Sequence, residues 1–183
     1  WGNAASFECP GRAIDAISRL AVVRAVVPVA RLLRPRQPPL AKEQQVPTPE
    51  DYAESYRQLE QMRVPLAHEY VLRTRQATPG DGVLVGLFDT GYWLAHECFE
   101  HVLANDAVVA DSNFVQDTTV PLLTGLPHGA AVMATIAGYR PQRLIGSAWG
   151  ARFLLARTEN PTSERHVEED NYAAALVWAE NLG

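Results

Sequence analysis

Residues 83–88, Val-Leu-Val-Gly-Leu-Phe, form an apolar run of strand length that ends without transition on Asp89-Thr90-Gly91. A run of this kind, with no alternating polar face, predicts a strand covered on both sides. The acidic residue is then the first group beyond the strand's carboxyl end. Strand-like stretches alternate with helix-like ones along residues 51–183, which predicts an α/β chain: a mostly parallel sheet with helices on its faces. The expected elements are helices at 56–62 and 65–71, a turn at Pro79-Gly80-Asp81-Gly82 and strands at 83–88, 107–110, 144–145 and 152–156. Helices are also expected at 128–137, closed by Gly138 as a C-terminal cap, and at 167–181. In the last helix Tyr172, Ala175, Leu176 and Ala179 share the inner side. Val132, Met133 and Ile136 are expected to fill the core beneath the helix at 128–137.

The first part of the chain reads differently. Residues 1–36 suggest a strand over 4–9, a helix opened by Pro10 with Ile14, Ile17 and Leu20 on one stripe, and a strand over 22–33. This is a piece of a small α+β unit. Five prolines in the seventeen positions 34–50 then predict an extended linker, with the domain boundary taken at 37–50.

Composition narrows the function classes. Apolar residues make up 47% and charged residues 20%, as in a globular chain. The net charge is −5, so no basic face for nucleic acid is expected. The arginines at 12, 19, 24, 31, 34 and 36 read as a solvated face. No apolar run reaches the eighteen or so residues of a membrane span, and no signal-peptide pattern is present. The chain opens on Trp1, which predicts that preceding sequence has been removed. Two cysteines, Cys9 and Cys98, leave pairing open.

The chemistry centres on two residues. Asp89 lies at the carboxyl edge of the sheet, where functional groups gather in open parallel sheets. Thirty-nine positions on, His128-Gly129 opens a helix rich in small residues. A carboxylate that holds one ring nitrogen as N–H leaves the other free to take a proton from a serine hydroxyl. His96-Glu-Cys-Phe-Glu-His101 invites a zinc reading, but its histidines are spaced i, i+5 and would turn apart on a helix, so a surface loop is expected. His68 and His166 are expected to be solvated. Glu168, Glu169 and Asp170 are expected to form an acidic first helical turn.

The motifs resemble those of the subtilisin-like serine proteases. Val83-Leu-Val-Gly-Leu-Phe-Asp-Thr-Gly91 is similar to the family's catalytic aspartate motif, and His128-Gly-Ala-Ala-Val-Met-Ala-Thr-Ile-Ala-Gly138 to its histidine motif. Gly146-Ser-Ala-Trp-Gly-Ala-Arg-Phe-Leu-Leu-Ala156 resembles the strand that follows, and Gln61-Met-Arg-Val-Pro65 with Gly82-Val83 the helix and turn before the first strand. The resemblance spans most of residues 51–183; residues 1–36 resemble the second half of the family's propeptide. It implies a three-layer fold and a serine endopeptidase precursor in which Asp89 orients and His128 is base and acid. It also implies a polypeptide substrate, the chain's own propeptide as partner in cis, and a secreted or cell-envelope location. No cofactor and no metal ligand are assigned; calcium is left open by the resemblance, with Cys98 near a position where some members carry a calcium-binding carboxylate. Substrate-binding residues are not assigned.

Departures from the pattern are specific. Ala130 and Ala131 stand in place of the threonine and the common second histidine, and Trp149 in place of proline. The G-T-S-x-A serine motif and the oxyanion asparagine are not found, so the chain is read as stopping before the nucleophile and as inactive alone. Two alternatives stand beside this: a non-catalytic fragment or pseudo-enzyme that binds peptides or a protease, and a single-DTG aspartic protease subunit.

Overall fold

A computed structural model describes residues 9–27, 45–115, 127–161 and 166–183. Helix α1 (Gly11–Ser18) follows Pro10, as expected, yet none of its residues is buried. The strand expected over 22–33 is not formed in its described part: residues 22–27 are a turn and an irregular segment, and Val22 and Val27 are exposed. With no core to cover them, β-branched residues have no reason to pair. Residues 28–33, and 4–8 of the other expected strand, lie outside the described residues. The linker expectation for 37–50 is corrected at its end. Pro49 opens helix α2 (Pro49–Tyr52), where the Asp51 carboxylate accepts from the Thr48 amide at 2.8 Å and its hydroxyl at 2.9 Å. Proline suits the first turn of a helix, where its missing N–H costs nothing.

Helices α3 (Tyr56–Gln61) and α4 (Val64–Tyr70) follow, and α4 runs on as a wider π-helical turn over Val71–Arg75. The predicted turn at 79–82 closes with Asp81 N–H to Thr78 O at 2.8 Å and Val83 N–H to Gly80 O at 3.0 Å. Strand β1 (Leu84–Asp89) leads to a 3-10 turn (Glu97–Phe99), α5 (Glu100–Ala104) and β2 (Val108–Asn113). Helix α6 (Pro127–Ala137), the short antiparallel pair β3 (Tyr139–Arg140) and β4 (Leu144–Ile145), β5 (Arg152–Arg157) and α7 (Val167–Leu182) complete the chain.

The main sheet has the order β1-β5-β2, with both pairings parallel. Val85 and Leu87 of β1 and Phe153 and Leu155 of β5 share one face, packed on Tyr92, Phe99, Val102 and Met133. The other face meets α7, where Phe88 contacts Tyr172 edge-on at 5.3 Å and Phe114 contacts Trp178 at 5.9 Å. Helices on both faces of a parallel sheet make this an α/β fold, which explains why β1 and β5 are apolar without alternation.

A second core holds Tyr52, Leu59, Ile145 and Trp149. His68, expected to be solvated, is 2% exposed within it. Its Nε2 lies 2.8 Å from the Ser147 carbonyl and its Nδ1 2.7 Å from the Tyr52 hydroxyl. A carbonyl only accepts, so Nε2 carries the proton and Nδ1 accepts from Tyr52. A buried histidine with both nitrogens satisfied is stable in the neutral form. Burial lowers its pKa, with the Ser147 hydrogen bond opposing in part. The Tyr52 hydroxyl is pushed up to about 12, mainly by burial.

Three further expectations are corrected. The 96–101 segment is not a surface loop: Cys98 and Phe99 are core residues and Glu100 starts α5. Val132 is 37% exposed, while Met133 is fully buried. Gly138 does end α6, but not through a left-handed cap; a Cβ there would sit 2.3 Å from Leu144 Cδ2 and 2.6 Å from Ala134 O. The Leu144 methyl could move aside, so the α6 carbonyl of Ala134 is what requires the glycine.

Candidate active site

The carboxyl edge of the sheet carries the site. Asp89 ends β1 and is 6% exposed. The next residue supports it: Thr90 donates to Oδ1 from its amide at 2.6 Å and from its hydroxyl at 2.9 Å. These bonds give a buried carboxylate hydrogen-bond partners. His128, on the first turn of α6, brings Nδ1 to 2.9 Å from Oδ1 and 3.0 Å from Oδ2. The two residues that the sequence singled out therefore meet, across thirty-nine positions.

Gly129 sets how closely they meet. A Cβ at this position would lie 2.3 Å from the Gly91 carbonyl oxygen and 3.0 Å from Asp89 Cβ. Only a residue without a side chain lets α6 press onto the 89–91 turn. Behind it, Ala130, Met133 and Ala137 are buried and anchor α6 to the sheet.

The electrostatics follow from the geometry. An ionised carboxylate only accepts, so it fixes Nδ1 as N–H and leaves Nε2 with a lone pair. The imidazole's pKa is raised, first by the Asp89 hydrogen bond and its charge, with a smaller contribution from Glu159. The ring is 70% exposed and the carboxylate 8%. The basic nitrogen thus faces outward while its orienting partner is buried. Among the described residues, no serine or cysteine hydrogen-bonds His128.

Several supporting groups were not singled out in the sequence. Arg157, 1% exposed, ends β5 opposite Asp89 in register, so its side chain rises on the same face of the sheet. A cation closing the apolar run Phe153–Ala156 was the available signal. Tyr92 is fully buried, with its hydroxyl 3.4 Å from the Ala156 carbonyl. Burial, then the charges of Asp89 and Glu159, raise its pKa, so it stays a neutral phenol. The Thr158 amide donates to the Asp89 carbonyl at 2.9 Å.

The other chemistry-bearing residues do not join the site. His96 Nδ1 lies 3.2 Å from Cys98 Sγ and accepts from the Cys98 amide at 3.3 Å, whereas His101 stacks edge-on with Tyr139 at 5.9 Å. The two rings have different neighbours, and His96 lies before the 3-10 turn rather than on one helix with His101. Cys9 and Cys98 are free thiols, and burial pushes Cys98 up to about 11. Among the described residues, no group of three or more His, Cys, Asp or Glu side chains could hold a metal ion, and no helix is long and apolar enough to cross a membrane. His166 is exposed, and Glu168, Glu169 and Asp170 do form the acidic first turn of α7. Comparison with family models and with curated proteins returned no match.

Proposed function

We propose that this chain carries the aspartate and histidine of a subtilisin-like serine endopeptidase, and that the attacking serine is supplied by residues outside these 183. The observation that carries the reading is the Asp89–His128 pair: a buried carboxylate on Nδ1 at 2.9 Å and an outward Nε2. That polarity suits a general base. Nε2 takes the proton from a serine hydroxyl as its oxygen attacks the peptide carbonyl, then returns it to the leaving amine. Asp89 keeps the tautomer and offsets the imidazolium charge. The buried parallel sheet supports the reading by presenting both groups at its carboxyl edge. The chain's own N-terminal segment is the proposed partner in cis, a polypeptide the substrate, and the cell exterior or envelope the place of action.

The aspartic-protease alternative has less support, because the Asp89 carboxylate bonds an imidazole rather than a second carboxyl. The full-length gene product tests the choice. A serine-reactive fluorophosphonate should label it, and labelling should vanish in His128→Ala. Inhibition by a pepstatin-type compound without labelling would overturn the proposal. The 183-residue chain alone should neither be labelled nor cleave peptides.

A further inference from the structure

Residues 45–55 lead the chain into its packed part, and from Gln45 to Ser55 Tyr52 alone is buried. The rest of this strap lies on the short β3–β4 pair. Ala53 bridges antiparallel to Leu144, and the Gln142 amide donates to the Asp51 carbonyl at 2.9 Å. The Ser55 hydroxyl lies 2.8 Å from the Tyr52 carbonyl and 2.9 Å from that of Ile145. One ring and a few hydrogen bonds therefore fasten the strap, and segments held so lightly open well before a core does. Ala53 makes seating it costlier. Its φ of 45° and ψ of −118° are a pair that a residue with a Cβ rarely adopts, so release relieves strain.

The Tyr52 ring is seated on a histidine. It stacks on His68 with centroids 5.8 Å and planes 11° apart, and Trp149 meets the same imidazole edge-on at 4.6 Å. The Tyr52 hydroxyl donates to Nδ1 at 2.7 Å, while Nε2 donates to the Ser147 carbonyl at 2.8 Å. This pattern is complete only for the neutral ring. A proton on Nδ1 would turn the acceptor into a donor, deprive the Tyr52 hydroxyl of its acceptor and place a positive charge in a buried site. The neighbouring titratable groups are otherwise engaged. Asp51, on the strap, accepts from Thr48; Glu69, next to His68 on α4, pairs with Arg73 at 3.1 Å. Tyr56 from α3 lies against Tyr52, and Tyr139 from β3 against Trp149. From α5, His101 meets Tyr139 edge-on, and burial lowers its pKa as well.

We propose that Tyr52 and His68 form an acid-released latch: while the imidazole is neutral the strap 48–55 stays seated on β3–β4, and a proton at Nδ1 frees it. The seated ring resists a proton, chiefly through burial, that the released ring takes up at its ordinary 6.5. Each pH unit below 6.5 therefore shifts the balance toward release by up to about tenfold, until the folded value is reached. The latch shares no residue with the Asp89–His128 pair, so neither reading falls with the other.

Amide hydrogen exchange in the 183-residue chain, followed by NMR from about pH 7.5 to about pH 5 and corrected for the intrinsic rate, tests the latch. The Ser55 and Gln142 amides both donate within or onto the strap. Their protection should fall by up to about tenfold per pH unit below 6.5, while the amides of β1 and β5 keep theirs. An equal fall in β1 and β5 would be general acid unfolding, and it would overturn the latch, as would a strap indifferent to pH. His68→Gln and His68→Phe, neutral at every pH, should abolish the dependence; its survival would overturn the proposal. Where circular dichroism shows the phenylalanine variant unfolded, the glutamine variant decides. Tyr52→Phe keeps the ring and removes the bond to the neutral imidazole, so the His68 midpoint should rise toward 6.5. A midpoint unmoved there would mean that the hydroxyl does not read the proton, and the latch falls. Asp51→Asn and His101→Gln should keep the pH dependence; its loss in either would make that group the sensor and overturn the assignment to His68.

Discussion

Gly129→Ala is the sharpest perturbation of the site, because it adds one carbon and changes no charge. That Cβ would be 2.3 Å from the Gly91 oxygen, and ordinary contact begins at 3.4 Å, so the start of α6 must retreat by about 1.1 Å. The obstacle is backbone, which cannot rotate away as a side chain could. Overpacking of this kind costs about 1–3 kcal/mol. The same retreat, taken along the Nδ1–Oδ1 direction, would lengthen the 2.9 Å bond to about 4 Å, beyond hydrogen-bonding range. Two readouts should therefore move together. Urea unfolding, followed through the buried Trp149, should show a lower midpoint with an unchanged slope. The His128 titration midpoint should fall toward 6.5. Stability within about 0.5 kcal/mol of wild type together with an unmoved midpoint would refute the claim that Gly129 sets the Asp89–His128 distance.

Other outcomes follow from the same structure. Asp89→Asn in the full-length gene product should lower kcat by about 10⁴, through the wrong imidazole tautomer, while circular dichroism stays native; retained activity would remove the aspartate from the mechanism. Met133→Ala, at a fully buried position under the sheet, should cost about 2–5 kcal/mol in urea unfolding. His68 has a folded-state pKa below 6.5, so its contribution is present above that pH and is lost as pH falls through the folded value. His128 has the opposite sign: its raised pKa contributes stability below pH 6.5 that is lost as pH rises through the folded value, and its exposure keeps that contribution small. His68→Phe should therefore flatten the acid side of the stability profile, as measured by unfolding between pH 7 and 5.

What the sequence revealed of the fold depended on how much structural information each segment carried locally. β1 and β5 were legible because a parallel strand buried on both faces has an unbroken apolar run. Asp89 was legible because it ends an unbroken apolar run, and His128 because His-Gly opens a run of small and apolar residues that reads as a helix. The segment 96–101 was misread because Cys98 and Phe99 are flanked by His and Glu, a polar composition that tertiary packing overrides. His68 was misread for a related reason. Nothing within its helix predicts that Tyr52 and Ser147, sixteen and seventy-nine positions away, would satisfy both ring nitrogens. The Val-rich stretch 22–27 misled in the other direction, since β-branched residues need a packed surface before they pair. The Glu168–Asn160 and Asn171–Thr158 bonds left no mark at all, because each joins an ordinary helix residue to a main-chain atom.

The strand order β1-β5-β2 has a consequence for how the molecule is made. The middle strand is the last of the three to leave the ribosome. Until Arg152–Arg157 emerges, the two earlier strands have no mutual hydrogen bonds and present bare edges, a state exposed to mispairing and of interest to chaperones. His128 is carried by α6, which packs on β1, and β5 is the strand that joins β1 to β2. Insertion of one late hexapeptide closes the sheet.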